Sequence, residues 1–527
     1  MSTKQLKSYF VNVPIIVAKE YLAGVPGWTT GTLPGFIAVP RNLLTFVPDI
    51  RPSIAQGVSN TAIDAVTQAN GWKLRDYQHI GRQFIETRRG TLLADVQRLG
   101  KTPQIVASHD PATGQLFVVG PLMTRIVWLT WFRKMWGDKL RIVALKGRTQ
   151  NMDLIKNADV VFINYDILAN WQNTTTPPHT AVFDEAHLLS NAKTKRYSAA
   201  CLLATQAQKV ICASGTPLWN KPANIHSVLN LLEPGGFGTW YEFTKRYGRG
   251  MQNEFGYEAT GISNEDELKL RLSSLMIRRA WAAVAINLPA LTRTVEVGER
   301  SVADRIKIDI DLERNRPGFA NQLADASRLR GLFALNHKVD VAAKRAIELC
   351  KSGEPVVLWI WHKAVASALE TVLISNDIPC EVITGETKDK ETPLVNWRSW
   401  PSGALIISLG VGQAGIDLSH SKHAIFAEID YTPAVVSQAE MRTFSKDRPS
   451  CVSYIVTDHP VEIGIVKSLL KKCKLAERTG LPASDTPMEF LTELIDEEEL
   501  LLDELNDENG VDDLLTGLLD EAMDDGW

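Results

Sequence analysis

Two short groups of residues carry side chains suited to phosphate chemistry. The segment RLGKT ends in Gly100, Lys101 and Thr102, after the apolar run TLLADV and before a helical pattern. A glycine at a strand-to-helix turn lets backbone N–H groups face a phosphate, a lysine reaches the terminal phosphates, and a threonine hydroxyl ligates Mg²⁺. The first glycine of the usual GxxxxGK[ST] pattern is absent, because Asp95 stands there. Taken alone, this GKT fits an ordinary strand-to-helix turn equally well.

Acidic residues form the second group. The sequence VFDEAH follows an apolar run and contains Asp184 and Glu185. An Asp at the carboxyl end of a strand can hold Mg²⁺ through water, and the following Glu can orient or deprotonate an attacking water. Such acidic groups also occur by chance on solvated helices, but a strand context after a GKT turn makes that reading poor. The two groups together predict a site for phosphate and Mg²⁺.

Buried strands and helices must position these residues. Six apolar runs between Leu74 and Leu232 alternate with helical patterns: TLLADV, GQLFVVGP, LRIVALK, DVVFINY, TAVFDEA and KVICASG. A second series begins at Pro355: PVVLWIW, CEVITG, GALIISLG, HAIFAEI and CVSYIVTD. Apolar strands separated by helices are typical of a parallel sheet covered on both faces. The sequence therefore predicts an α/β fold with two lobes and a helical stretch between them.

These patterns also predict the domain boundaries. The N-terminal segment is rich in Pro, Gly and β-branched or aromatic residues, which indicates a small β-containing module followed by a polar helix near 59–70. The expected segments are an accessory module at 1–70, a first lobe at 71–232, helical insertions at 233–350, a second lobe at 351–480 and an acidic tail at 481–527.

The formal net charge of −4 hides a strong asymmetry. Residues 1–484 contain 57 basic and 44 acidic residues, a formal +13, whereas the tail holds the other 17 acids and no base. A basic body joined to an acidic segment suggests contact with a polyanion. The 45% apolar content excludes a disordered or fibrous chain for the bulk of the sequence.

No feature of the sequence indicates a membrane or an oxidising compartment. The chain has no run of about 18 or more uncharged apolar residues, and its N-terminus shows no targeting signal. The six cysteines are scattered, without a CxxC pair or zinc spacing, as is typical of thiols in a reducing compartment. We expect an intracellular monomer, cytoplasmic in a prokaryote or a phage-infected cell.

From Lys73 to Lys472 the ordered motifs resemble the Swi/Snf-type ATPases of helicase superfamily two. KLRDYQHIGRQFI is similar to the family's adenine-contacting element, LLADVQRLGKTPQ to its phosphate loop, and FVVGPLMTRIVWLTWFRKMW to the segment that touches the tracked DNA strand. ASGTPLWNKPANIHSVLNLLEPGGFGTWYEFTKRYG resembles the coupling motif, and SLMIRRAWAAVAINLPAL resembles the paired-arginine segment. IISLGVGQAGIDL and FAEIDYTPAVVSQAEMR match later motifs, and the wording of the second is most similar to the annealing-helicase branch.

The resemblance implies two RecA-like lobes and a role for each matched residue. Gln78 would read adenine, and Gly215 and Thr216 would couple the nucleotide state to the DNA groove. The implied nucleotide-binding residues are Gln78, Gly100, Lys101, Thr102, Gly415, Asp417 and Gln438; the catalytic residues are Lys101, Asp184, Glu185 and Arg442; the Mg²⁺ residues are Thr102 and Asp184.

Two departures from the family pattern keep a second function open. Arg98 stands where the family usually has glycine, and Ser445 replaces the second arginine of the last motif. Loss of such an arginine finger can cost several orders of magnitude in hydrolysis, unless Lys446 or Arg448 substitutes for it. The main alternative is therefore a weakly or non-hydrolysing DNA-binding scaffold. A third alternative, an RNA-directed helicase, fits poorly with the paired-arginine segment.

The function that the resemblance implies is an ATP-dependent DNA translocase with a DEAH box, acting on duplex or branched DNA in replication, repair or recombination. Tracking a DNA backbone needs cations and hydrogen-bond donors rather than base-reading side chains. For each single cation, a solvated surface charge is an equally good reading, and the tryptophans fit core packing better than base stacking. The candidate DNA-binding residues are Arg125, Lys134, Arg246, Arg249 and Ser408.

The acidic tail permits three readings. From Glu489 to Leu505 the apolar residues have the spacing of a short amphipathic helix. The tail is a solvated, mostly disordered segment, or it mimics DNA and occupies the basic groove, or it binds a partner protein through its apolar face.

Overall fold

The computed structural model of the chain describes most of the central sequence. The described residues are 10–14, 29–30, 36–40, 73–147, 152–171, 177–217, 222–253, 256–259, 261–280, 284, 291–298, 330–331, 334–412, 416–445, 448–457, 460–478 and 491. The chain divides into two compact units, formed mainly by Met1–Ala285 and by Ile286–Lys474.

The strands and helices alternate along both units. The strands are β1 (Phe10–Pro14), β2 (Thr29–Thr30), β3 (Phe36–Pro40), β4 (Gly90–Leu93), β5 (Leu116–Gly120), β6 (Ile142–Ala144), β7 (Val160–Asn164), β8 (Thr180–Asp184), β9 (Lys209–Ala213), β10 (Met251–Asn253), β11 (Gly256–Glu258), β12 (Met276–Ile277), β13 (Leu291–Gly298), β14 (Val356–Ile360), β15 (Cys380–Ile383), β16 (Ala404–Ser408), β17 (His423–Phe426) and β18 (Ser450–Thr457). The α-helices are α1 (Asp76–Glu86), α2 (Lys101–Ala107), α3 (Arg125–Trp136), α4 (Met152–Lys156), α5 (Tyr165–Leu168), α6 (Lys195–Gln206), α7 (Ile225–Leu232), α8 (Trp240–Tyr247), α9 (Glu265–Leu275), α10 (Val339–Lys351), α11 (Lys363–Ser375), α12 (Glu391–Ser399), α13 (Leu409–Gly412), α14 (Pro433–Thr443) and α15 (Pro460–Arg478).

Seven strands of the first unit form one parallel sheet in the order β12-β4-β9-β8-β5-β7-β6. Every residue of β5 is buried. Successive side chains of a strand point to opposite faces, so both faces of the sheet are covered at β5. The strands are parallel, and their carboxyl ends therefore lie at one edge. That edge carries the turn after β4 and the acidic residues at the end of β8.

The second unit contains a six-stranded parallel sheet in the order β13-β18-β17-β14-β16-β15. All five side chains of β14 are fully buried. The eleven apolar runs that predict strands each form a strand of one of the two sheets. The predicted α/β class with two parallel lobes is confirmed.

Residues 233–350 differ from the prediction of helical insertions, because they also supply strands. β10 and β11 form an antiparallel hairpin. β12 extends the first sheet beside β4, and β13 pairs with β18 along its whole length. The first sheet thus extends beyond 232, and the second sheet begins before 351. A strand as short as β12 leaves no measurable periodicity in the sequence.

The terminal segments are described only in part. β1, β3 and β2 form a small antiparallel sheet, which agrees with the predicted β-containing module. The predicted helix near 59–70 lies outside the described residues. The acidic tail also lies outside them, apart from Leu491, which is fully buried. None of the helices in the described part of the chain is long and apolar enough to cross a membrane.

Candidate functional site

The turn between β4 and α2 forms a tight loop in the first unit. Gly100 caps the N-terminus of α2 with a φ of 79°, in the left-handed region that favours glycine. A Cβ atom at this position would lie 2.6 Å from the Gln78 side-chain nitrogen, so the loop has no room for a side chain at position 100. Gln78 binds backbone atoms through both ends of its amide: Oε1 accepts from Arg75 N at 3.0 Å, and Nε2 donates to Leu99 O at 3.1 Å.

Lys101 points into this loop. Its Nζ donates to the backbone carbonyl of Asp95 at 2.8 Å and to that of Val96 at 3.4 Å. Burial lowers the pKa of the ammonium group, while Glu185, Asp95 and Asp184 oppose that shift. The loop, Lys101 and the two acidic residues of VFDEAH are therefore neighbours. Thr102 follows as the second residue of α2 and is partly exposed.

Asp95, the residue in place of the first glycine, has a structural partner. Its carboxylate is fully buried and forms a two-point ion pair with Arg279, in which Nε donates to Oδ1 at 2.8 Å and Nη2 donates to Oδ2. Arg279 also donates to the backbone carbonyl of Tyr77 and, at 2.7 Å, to Gln104 Oε1. Gln104 Nε2 donates to Asp95 Oδ2 at 2.9 Å. One guanidinium thus holds α1, the loop and α2 together.

The neighbouring Arg278 joins the loop to the segment after β9. Its Nη1 donates to Ala94 O at 3.2 Å and to Gly215 O at 3.3 Å. Gly215 packs so closely against Gln97 that a Cβ atom would lie 2.9 Å from the Gln97 side-chain carbon Cδ. Thr216 N donates to Ser214 Oγ at 3.2 Å. Of the two predicted coupling residues, Gly215 therefore packs directly against the loop.

Asp184 is the last residue of β8 and is held on several sides. The indole N–H of Trp128 donates to Oδ2 at 2.7 Å, the backbone N–H of Glu185 donates to Oδ1 at 3.1 Å, and the Tyr165 hydroxyl donates to the backbone carbonyl at 2.8 Å. Burial, followed by the Glu185 carboxylate, raises the pKa of Asp184 to about 6. This carboxylate is costly to keep charged without a cation nearby.

Glu185 adopts a left-handed conformation with a φ of 51° at the start of a short 3₁₀ turn. Its Oε2 is buried and lies 3.4 Å from His187 Nδ1, and it makes no hydrogen bond within the described part of the chain. His187 Nδ1 also lies 3.0 Å from Ser214 Oγ. A strained backbone beside a buried carboxylate is typical of a functional site. Two buried carboxylates, an ammonium group and a cramped glycine turn fit a triphosphate with Mg²⁺.

In the second unit, α14 carries two of the predicted residues. Gln438 is buried, and Arg442 lies in the last turn of the helix with partial exposure. Glu440, between them, is fully buried and anchors the helix. It accepts hydrogen bonds from Arg293 Nε at 2.8 Å and Arg293 Nη2 at 3.1 Å, and from the Tyr454 hydroxyl at 2.5 Å.

Of the remaining nucleotide-binding candidates, Asp417 is described and lies in the loop before β17. Gly415 is outside the described residues, and Asp417 is exposed, with Oδ1 accepting from Ser419 N at 3.1 Å. Of the two proposed substitutes for the missing arginine, Lys446 is also outside the described residues. Arg448 Nη2 donates to the backbone carbonyl of His420 at 2.7 Å, so its guanidinium already has a structural partner.

Comparison with known proteins gives a domain family for this arrangement. The family model described as "SNF2-related domain" matches residues 60–298, which include the loop, the acidic residues and the paired arginines. This match agrees with the resemblance of the ordered motifs to Swi/Snf-type ATPases.

Two curated proteins are similar to most of this chain. A Xenopus tropicalis protein named "SWI/SNF-related matrix-associated actin-dependent regulator of chromatin subfamily A-like protein 1" is 27% identical over 464 residues, which are 84% of this chain and 49% of that protein. The Bos taurus "DNA annealing helicase and endonuclease ZRANB3" is 23% identical over 437 residues, with 77% and 40% covered. The chain spans about half the length of the curated relatives it matches.

A solved structure entitled "Sulfolobus solfataricus SWI2/SNF2 ATPase core in complex with dsDNA" also matches the chain. It is 19% identical, covers 81% of this chain and 96% of its own, and has a TM-score of 0.37.

The predicted DNA-binding residues are spread over several elements. Arg125 begins α3, and Lys134 in its last turn lies 5.0 Å from the centre of the Trp131 ring. Arg246 forms an exposed ion pair with Glu267 at 2.7 Å. Arg249 has a left-handed backbone, with a φ of 48°. In the second unit, Ser408 ends β16.

Three contacts of the candidate site residues and their neighbours were missed by sequence reasoning. Trp128 is 1% exposed, as core packing predicts, but its indole N–H binds the candidate Mg²⁺ carboxylate. Asp95 was treated only as a missing glycine, and Glu440 was not singled out. For Asp95 and Arg279, the available signal was an acid in an apolar strand end and an arginine pair after another apolar run. Buried charges of this kind need partners.

Proposed function

We propose that the chain is a DNA-dependent ATP hydrolase that uses Mg²⁺ and moves along duplex or branched DNA in replication, repair or recombination. The observation that carries this proposal is the convergence of the Lys101 ammonium with the Asp184 and Glu185 carboxylates at the carboxyl edge of a parallel sheet. Relatives named as a DNA annealing helicase support the DNA assignment.

The family resemblance implies a role for each of these residues. Lys101 leaves the carbonyls of Asp95 and Val96 and binds the terminal phosphates, and Thr102 and Asp184 hold the metal ion. Bound Mg²⁺ neutralises charge that develops on the phosphates. Glu185 orients the attacking water, and Gln78, Gly100, Gly415, Asp417 and Gln438 hold the nucleotide. Arg442 supplies positive charge in the transition state. Arg125, Lys134, Arg246, Arg249 and Ser408 contact the DNA backbone.

Steady-state ATP hydrolysis tests this proposal. The rate is measured under four conditions: without nucleic acid, and with single-stranded DNA, duplex DNA or RNA. Lys101→Ala should abolish turnover, because the ammonium group binds the transferred phosphoryl group. Lys139→Ala is the matched control, since Lys139 is an exposed residue of the same unit. Turnover equal in Lys101→Ala and wild type would contradict the site, and stimulation by RNA alone would contradict the DNA assignment.

The second candidate is a weakly or non-hydrolysing DNA-binding scaffold. Ser445 replaces an expected arginine, and Arg448 is engaged with a backbone carbonyl, which favours slow turnover. If the arginine finger is the only group that the site lacks, Ser445→Arg should raise kcat by at least about tenfold. An arginine finger raises kcat by about 10³–10⁵-fold in other phosphoryl-transfer enzymes. Ser445→Lys is the control for added charge. DNA binding with no turnover in any variant would establish the scaffold.

The acidic tail and the cellular context remain predictions. Deletion of residues 481–527 should raise DNA affinity at low salt if the tail occupies a basic groove, and unchanged affinity would exclude that role.

We expect a monomer, which light scattering on a sizing column tests. A prokaryotic or phage source finds no support among the relatives, which are animal proteins.

A further inference from the structure

The hydrogen bond between Trp128 and Asp184 joins a surface helix to the acidic residues of the site. The indole N–H of a buried tryptophan needs a partner, and here that partner is a carboxylate at 2.7 Å. The other oxygen of Asp184 accepts from the backbone N–H of Glu185. Both carboxylate oxygens are therefore fixed, and the orientation of the carboxylate depends on where Trp128 lies.

α3 places Trp128 one turn from Arg125, a cation that fits a DNA backbone. Arg125 is the first residue of the helix and is partly exposed. Leu122, Ile126 and Val127 beside it are 51%, 56% and 40% exposed, so this end of the helix lies at the surface of the first unit. Residues three positions apart on a helix are neighbours, so a displacement of Arg125 along the helix axis also displaces Trp128.

Close packing at the end of β5 makes this connection stiff. A Cβ atom on Gly120 would lie 3.0 Å from Thr124 Oγ1 and 3.2 Å from Asp184 Cβ. The residue before α3 and the acidic strand end are therefore already in near contact. Interiors packed this closely transmit small shifts instead of absorbing them.

We propose that Trp128 is a positioning residue that couples DNA binding at α3 to nucleotide and Mg²⁺ binding at Asp184. The inference rests on the proposed function and adds the route between the two sites. Coupling between two sites is reciprocal: if DNA tightens nucleotide binding by some factor, nucleotide tightens DNA binding by the same factor. Loss of the indole N–H frees the carboxylate and reduces that factor.

Binding measurements test the coupling without hydrolysis. The dissociation constant of a labelled duplex is measured by fluorescence anisotropy, with and without Mg²⁺ and a non-hydrolysable ATP analogue. We expect a wild-type ratio of about 5-fold or more, within the usual range for coupled sites. Trp128→Phe should bring the ratio below about 2-fold. Trp136→Phe is the matched control, since Trp136 is a buried residue of α3 whose N–H donates to Val106 O at 3.4 Å.

The outcomes separate this inference from the proposed function. A wild-type protein that binds neither nucleotide nor DNA contradicts the proposed function itself. A wild-type ratio near one, or an equal ratio in wild type and Trp128→Phe, overturns the coupling role. If thermal melting shows that Trp128→Phe is unfolded, Gly120→Ala perturbs the same junction from β5. A lowered ratio in Gly120→Ala supports the proposal, and an unchanged ratio overturns it.

Discussion

Replacement of Asp95 by asparagine should destabilise the first unit far more than an ordinary loss of surface charge. The substitution keeps the shape of the side chain and removes its charge, which leaves the Arg279 guanidinium in a buried position beside a neutral amide. Removal of one partner of a buried ion pair costs about 3–5 kcal/mol, because the remaining charge is desolvated without compensation. We take about 3 kcal/mol, the lower end, because the asparagine oxygen can still accept one hydrogen bond from Arg279.

The expected change is large enough for thermal and chemical denaturation. The entropy of unfolding is about 2.1 cal/mol/K per residue, so in a unit as long as Met1–Ala285 a loss of about 3 kcal/mol should lower Tm by roughly 5 °C. The shift should persist in about 1 M NaCl, because buried pairs are poorly screened. A lower affinity for nucleotide should accompany it, since Lys101 is held by the backbone carbonyl of Asp95.

Asp166→Asn provides the matched control. Asp166 forms an ion pair with Arg196 at 3.3 Å in the same unit, but its side chain is 76% exposed. Exposed pairs contribute about 0–1 kcal/mol. If Asp95→Asn loses no more stability than Asp166→Asn, the ion pair with Arg279 does not hold the loop, and the assigned role of Arg279 is wrong.

Three further substitutions test other parts of the structure. In EDTA, Asp184→Asn should raise Tm at pH 8, because the raised pKa means that folding disfavours the charged form; the gain should shrink as pH falls from about 6 to 3.8, and a pH-independent gain would contradict it. Arg98 has a φ of 65°, so Arg98→Gly should be more stable than Arg98→Ala by about 0.5–1 kcal/mol in urea denaturation, and equal stabilities would exclude strain. Glu440→Gln should destabilise the second unit by about 3 kcal/mol, whereas Glu386→Gln, in an exposed pair, should have little effect; similar losses would show that Glu440 does not anchor α14.

The sheets could be predicted from the sequence because most of their strands are apolar. The central strands β4, β5 and β14 are buried on both faces, and burial of that kind leaves a continuous apolar pattern. The partly buried strands β6 and β15 were predicted from shorter apolar runs. β12 and β13 could not be predicted in the same way. β12 has two residues. β13 contains three consecutive polar residues, Thr292 to Thr294, and its register is set by β18, far along the chain.

The candidate site was predicted in its residue types and not in its supporting contacts. Lys101, Asp184 and Glu185 follow strands that a local pattern identifies, and parallel strands bring their carboxyl ends together. The partners of these residues come from distant segments. Trp128 reaches Asp184 across 56 residues, and Arg279 reaches Asp95 across 184 residues. A sequence pattern gives the type of a buried charge, and only the tertiary fold gives the partner that satisfies it.

The separation between Asp95 and Arg279 also sets an order of events during synthesis. At about 5–20 residues per second, a nascent chain adds the 184 residues between them in roughly 10–40 s. β4 to β9 are complete by Ala213, long before the arginine leaves the ribosome. During that interval Asp95 lacks the arginine that pairs with it in the folded unit. A chain that ends at Leu232 never receives Arg279, and its phosphate loop stays in this immature form.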